Sequence, residues 1–191
     1  MTSMTDGAAA SRLTEQLGRW PALDGPARPL AALGQALTRN PALARVLHGV
    51  PIGHALHPLL TDLPLGLWMS STALDALGPR GSDRAADRLL GLGLVAALPT
   101  AWTGVADWFV SQRGGAEDVR RIGTAHAALN LAALGLYATS WLQRRRGRRV
   151  PGVAASLAAG GVATVSGYLG GHLSLVLHVP SPGLADPERG A

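Results

Sequence analysis

The 191-residue chain has no cysteine, so it can form no disulfide and cannot itself hold an iron–sulfur cluster through thiolates. All 17 of its basic residues are arginine, and charged residues make up only 15% of the chain, against about 25% in an ordinary soluble protein. No nucleophile elbow, phosphate-binding loop, HExxH motif or CxxCH haem-attachment motif occurs, which leaves hydrolase and nucleotide-driven chemistry without a carrier. Helix-turn-helix, zinc-finger and aromatic-studded basic patterns are also missing. The net charge of +5 therefore points to anionic headgroups and not to nucleic acid.

What charge there is falls into short segments. Between them lie four nearly uncharged stretches of about 20 residues, 59–77, 89–110, 122–142 and 153–179, each long enough to cross a hydrocarbon core of about 30 Å as a helix. LLGLGLVAALPTAW (89–102) and LNLAALGLYATSWL (129–142) are apolar around the whole helical circumference, where a soluble bundle would alternate an apolar stripe with a polar face. The expected fold is an all-α integral membrane four-helix bundle. It divides into an N-terminal arm (1–48) with a possible surface helix, a four-span domain (49–179) and a C-terminal tail (180–191). The competing reading is a soluble all-helical protein with an unusually apolar core.

Orientation follows from arginine. Connections 78–88 and 143–152 together hold eight arginines, among them Arg80, Arg84, Arg88, Arg144 and Arg149, whereas 111–121 offsets Arg113, Arg120 and Arg121 with Glu117 and Asp118. The positive-inside bias places the two richer connections in the cytoplasm and both termini outside; the arginines of the N-terminal arm oppose that assignment. The opening MTSMTDGAAAS has no h-region of a cleaved signal. Segment 37–48, with Leu37, Leu43, Val46 and Leu47 interrupted by Arg39 and Arg45, reads either as a helix lying along the membrane surface or as a partly ordered arm. Pro64 and Pro99 fall inside spans and remove one backbone donor each. The small residues of 154–173 permit close helix approach.

Alternating helix direction brings the starts of spans one and three and the ends of spans two and four to one side. His54, His57 and Asp62, Asp107 and Trp108, His126 and Asn130, and His172 all fall in that layer. Ionisable groups at such depth are costly unless they meet a cavity, a polar partner or an ion. His126 and Asn130, four apart, share a helix face. Imidazoles on different helices could hold a haem b iron through His57, His126 or His172, with His54 in reserve, or a transition metal through His57, His126, His172, Asp62 and Asp107. The carboxylates could instead orient imidazoles, and Asn130 could tune them. The plain alternative is that each histidine makes an interhelical hydrogen bond in a structural or partner-binding membrane protein. Asp75, at the far end of span one, is expected to pair with Arg80 and Arg84. Trp108 and Trp141 suit interfacial belts, while Trp68 and Trp102 are deeper and suited to packing.

GHALHPLLTDLPLGLW (53–68), STALDALG with Asp75, HAALN (126–130) and GYLGGHLS (167–174) together resemble the membrane-protein family called domain of unknown function 2231. The resemblance covers about residues 49–179. It departs from the family's usual GHPLHP at Ala55, a position that bears on the helix start and not on a ligand. It implies a compact four-span bundle, carries over His54, His57, Asp62, His126 and His172 as matching polar positions, and implies no settled reaction. Relatives are sometimes fused to a Rieske iron–sulfur domain; these 191 residues contain no CxH pair and resemble the membrane part alone. Those fusions suggest an electron-transfer setting, and the leading expectation is a redox-linked module in a lipid bilayer that passes electrons to or from a Rieske-type or other electron-transfer partner; the oligomeric state is left open.

Overall fold

The computed structural model describes residues 12–112 and 116–179, and within them every regular element is helical. The C-terminal tail 180–191, residues 1–11 and Arg113 lie outside the described residues. Helix α1 covers 12–19 of the described chain. A 3-10 turn, Pro21–Leu23, leads into α2 (Asp24–Thr38) and α3 (Pro41–Leu47), and a second 3-10 turn, Val50–Ile52, leads into the long helices α4 (Leu56–Leu77), α5 (Asp83–Ser111), α6 (Glu117–Arg145) and α7 (Arg149–Gly171). A π-turn, His172–Val176, extends α7.

Local chemistry sets these boundaries. Asn40 caps α3 by accepting from the backbone N–H groups of Ala42 and Leu43 at 2.9 and 3.4 Å, with Pro41 in the first turn, where its missing donor costs nothing. Helix α6 opens on Glu117 and Asp118 and closes on Arg144 and Arg145, charges that complement its dipole at both ends. Gly147, at φ 74°, turns the chain sharply from α6 into α7.

The four long helices run up, down, up, down. Helix α4 packs along α5 and α6 along α7, and the two hairpins are equivalent. Within α4, residues 57, 61, 64, 68, 71 and 75 recur at alternating spacings of four and three, which is one face of a helix. Within α6, residues 126, 130, 133, 137, 140 and 144 do the same. The first set reads His, Thr, Pro, Trp, Ser, Asp and the second His, Asn, Ala, Tyr, Ser, Arg, each member 69 residues from its counterpart. Ser71 Oγ donates to Ala86 O at 2.8 Å across the first hairpin, and Ser140 Oγ to Gly152 O at 2.6 Å across the second. The hairpins are therefore two copies of one design, related by a pseudo-two-fold axis along the bundle.

Residues at equivalent positions meet on that axis. The Trp68 and Tyr137 rings stack at the centre, and with Leu90, Ala97 and Ala159 they form the core. Gly93 admits the Trp68 indole, which any β-carbon there would strike. At one end of the axis Arg144, its side chain fully buried, grips Asp75 with two hydrogen bonds of 2.9 and 2.6 Å and reaches Asp87 at 3.2 Å. Arg149 joins Asp75, Asp83 and Asp87. The expected partners of Asp75 were Arg80 and Arg84, its neighbours in sequence. The fold instead supplies arginines from the second hairpin, because position 144 is the counterpart of position 75.

Helices α5 and α7, the latter counted through Val176, are long and apolar enough to cross a membrane, and only 33% and 22% of their most apolar windows are buried. The core helix of a soluble protein would be mostly buried. Helices α4 and α6 have the length, at 22 and 29 residues, but their polar stripes keep them below that apolarity.

Candidate functional site

The end of the axis opposite Asp75 and Arg144 carries the first residue of each stripe, His57 and His126. The two hairpins hold them alike. His57 Nδ1 lies 2.9 Å from Thr100 O on α5, and His126 Nδ1 lies 2.8 Å from Ser166 O on α7. One turn further along, Gly104 and Gly170 give each ring its place: a β-carbon would stand 2.7 Å from His57 Cε1 and 2.9 Å from His126 Cε1. Since a carbonyl oxygen only accepts, both Nδ1 atoms carry hydrogen, and in the neutral ring the lone pair is left on Nε2.

The second turn of the stripe breaks the symmetry. Asn130 donates from Nδ2 to His126 Nε2 at 3.0 Å, which completes the ring's hydrogen bonding. Thr61, its counterpart, turns back to the His57 carbonyl at 2.8 Å and leaves His57 Nε2 uncapped by the corresponding side chain. Thr103 Oγ1 approaches His57 Nδ1 at 3.5 Å, and Ser166 Oγ bridges to Nδ1 and the backbone oxygen of His126, both at 3.0 Å.

The remaining sequence candidates are dispersed. His54 sits in the entry turn before α4 and lines an open groove with Ala55, Pro58, Leu59 and Asp62, on the exposed side of α4 and away from its buried stripe. His172 begins the π-turn, its ring 6.4 Å from that of Tyr168. Asp107 is bound to a histidine outside the candidate set: buried His48 places Nδ1 2.7 Å from Asp107 Oδ1 and ties the segment after α3 to α5. The signal for His48 was faint, an imidazole before Gly49 in an arm with no span of its own. Among the described residues no three of the His, Asp and Glu side chains converge as a metal-binding group, so the set His57, His126, His172, Asp62 and Asp107 forms no such cluster.

Two aromatic expectations change. Trp108 is buried within the protein, because Gly123 opens α6 to it and its indole N–H donates to Arg120 O at 3.2 Å. Trp102 is half exposed on α5. Trp141 lies under the Arg145 guanidinium at 5.3 Å.

The arm docks by charge and shape. Arg121 clasps both Asp24 oxygens at 3.0 and 3.1 Å, and Arg120 adds a third bond at 3.0 Å. The Arg121 hydrogen bond, followed by the charges of Arg120, Arg121 and Arg28 and against some desolvation, holds the Asp24 carboxyl below its ordinary 3.8. Gly34 lies against the Phe109 ring, and Ala27 packs with Trp108 and Phe109.

A duplicated helical hairpin, with paired imidazoles at one end and a buried ion cluster at the other, defines the class: an all-α protein with at least two helices suited to lipid. The model of a family described as predicted membrane protein (DUF2231) matches residues 53–181, which takes in α4 to α7 entire, and the chain belongs to that family. Searches of curated proteins and of solved structures gave no match.

Proposed function

We propose that α4 to α7 all cross the bilayer, with the Asp75–Arg144 end in the cytoplasm and both termini outside. The supporting observation is where the polar residues of α4 and α6 lie. His57, Ser71 and Asp75, and His126, Ser140 and Arg144, belong to the stripes that pack inward, while Leu59, Leu63, Met69 and Leu131 are exposed. The low apolarity of these two helices thus comes in part from a face that lipid would not touch, with Asp62 and Asn130 as exposed exceptions.

Within that bundle the imidazole pair works as a set of interhelical clasps, and the protein is a structural or partner-binding membrane module. The identical seating of His57 and His126, Nδ1 on a carbonyl and the ring on a glycine of the neighbouring helix, carries this reading. Losing a clasp leaves a carbonyl and its surroundings unpaired at a cost of about 1–3 kcal/mol. The test is His57→Ala and His126→Ala in detergent-purified protein. Both variants should lose thermal stability, and the wild-type protein should contain no stoichiometric iron or other transition metal.

One observation favours the redox-linked alternative. Pinning Nδ1–H on a carbonyl is how a protein readies Nε2 to ligate a metal, and two rings at equivalent positions are held this way. The donor type fits haem b or a transition ion. The space fits less well, because the rings are seated on Gly104 and Gly170 and Asn130 already occupies His126 Nε2. Bound haem would supply one-electron chemistry, with His57 and His126 as ligands, Asn130 as the group to be displaced, and an electron-transfer protein of the Rieske type as partner. A Soret band abolished by either histidine substitution would establish this reading and overturn the first.

A further inference from the structure

Between Asp24 and Asp62 the chain carries Arg28, Arg39 and Arg45 and no acidic residue. Helices α2 and α3 spend one face on the bundle: Ala27 and Leu30 lie against Trp108 and Phe109, Leu47 is buried, and His48 is bound to Asp107. What remains outward is apolar and basic together. Leu43, Val46 and Ile52 are 43%, 52% and 54% exposed, and Arg39 and Arg45 are exposed beside them. Water alone gives no reason to expose three large aliphatic side chains within ten residues. The chain then passes directly into α4, whose outward Leu59 and Leu63 continue the apolar surface.

We propose that Leu43, Val46 and Ile52 insert into the headgroup boundary of a bilayer rich in anionic phospholipid, with Arg39 and Arg45 on the phosphate layer. This rests on the reading that the bundle spans a membrane. An amphipathic segment binds such an interface through buried apolar area plus attraction to anionic lipid, and both are present here. An arginine near an anionic surface shifts the docking equilibrium by about fivefold. Held down on one side by lipid and on the other by Asp107 and Phe109, the arm would cover the α5–α6 end of the bundle.

The absence of cysteine makes the test clean. A nitrobenzoxadiazole label is placed at Val46→Cys or Ile52→Cys in the full chain, with Val95→Cys on α5 as a reference that is 66% exposed. Each protein is reconstituted into vesicles of phosphatidylcholine, with or without phosphatidylglycerol, containing lipid with a nitroxide near the top of its acyl chains or, for the Val95 reference, near their ends. The expected result is quenching at 46 and 52 that requires phosphatidylglycerol and falls about fivefold in docking equilibrium for each of Arg39→Gln and Arg45→Gln. Quenching that is equal in both lipids and indifferent to the arginines overturns the anionic recognition. No quenching at 46 and 52 while 95 is quenched overturns the proposal and leaves the spanning bundle standing. A reference label that is also unquenched removes the spanning reading, and the proposal falls with it.

Discussion

Trp68 and Tyr137 stack with ring centroids 4.0 Å apart and planes inclined by 18°, each from the corresponding position of its own hairpin. Offset aromatic stacking fixes both separation and rotation, so this contact sets how the hairpins meet. The same correspondence pairs Asp75 with Arg144 at one end and gives His57 and His126 equivalent seats at the other.

The Asp75–Arg144 pair should be the most sensitive point in the bundle. Removing Arg144 takes two of the three arginine hydrogen bonds from an Asp75 that is only 4% exposed and leaves it to Arg149. Arg144→Met is expected to cost about 3–5 kcal/mol, read as a lowered midpoint in detergent unfolding. Combining it with Asp75→Leu should recover much of that loss, because the buried charge that the first change exposes is then gone. Equal destabilisation of the single and double variants would contradict the pairing.

Gly104→Ala and Gly170→Ala should each destabilise by about 1–3 kcal/mol, because the new methyl group meets an imidazole that is anchored and cannot retreat. Gly66→Ala and Gly135→Ala, where a β-carbon meets nothing within 4 Å, should be neutral. Thermal melts of the four variants under one detergent condition compare them directly.

Asp24 gives a pH dependence with a definite sign. Its folded pKa is depressed by the Arg121 hydrogen bond and neighbouring cations. It therefore contributes stability above its unfolded value near 3.8, and that contribution is lost as pH falls through the lower folded value. Hydrogen exchange in 24–38 should speed up relative to 126–144 on acidification below about pH 4, and Asp24→Asn should abolish the difference.

How far these features were legible in the sequence depends on their range. The approximate extents of the four long helices followed from hydropathy, which is local, while their charged first and last turns lay outside the apolar stretches. The depth of the histidines followed from alternating direction alone, and it brought His57 and His126 to one end. The repeat went unread because its hairpins share only scattered positions, such as His57 with His126, Gly66 with Gly135, Ser71 with Ser140 and Gly104 with Gly170, separated by divergent lipid-facing residues. Missing the repeat also misassigned Asp75: proximity in sequence suggested Arg80 and Arg84, whereas the pseudo-axis selects Arg144. The seating of imidazoles on glycines needs two helices at once and has no signature in either one. Asp107 and His48 illustrate the same limit, being 59 residues apart and joined only by the docking of the arm.

The account depends most on four crossings of the bilayer. Single cysteines at Arg80→Cys, Ala116→Cys and Arg146→Cys can be probed with a membrane-impermeant maleimide on intact and on permeabilised cells. The account predicts that 116 is labelled from outside and that 80 and 146 are labelled only after permeabilisation. Labelling of all three from the same side would contradict it.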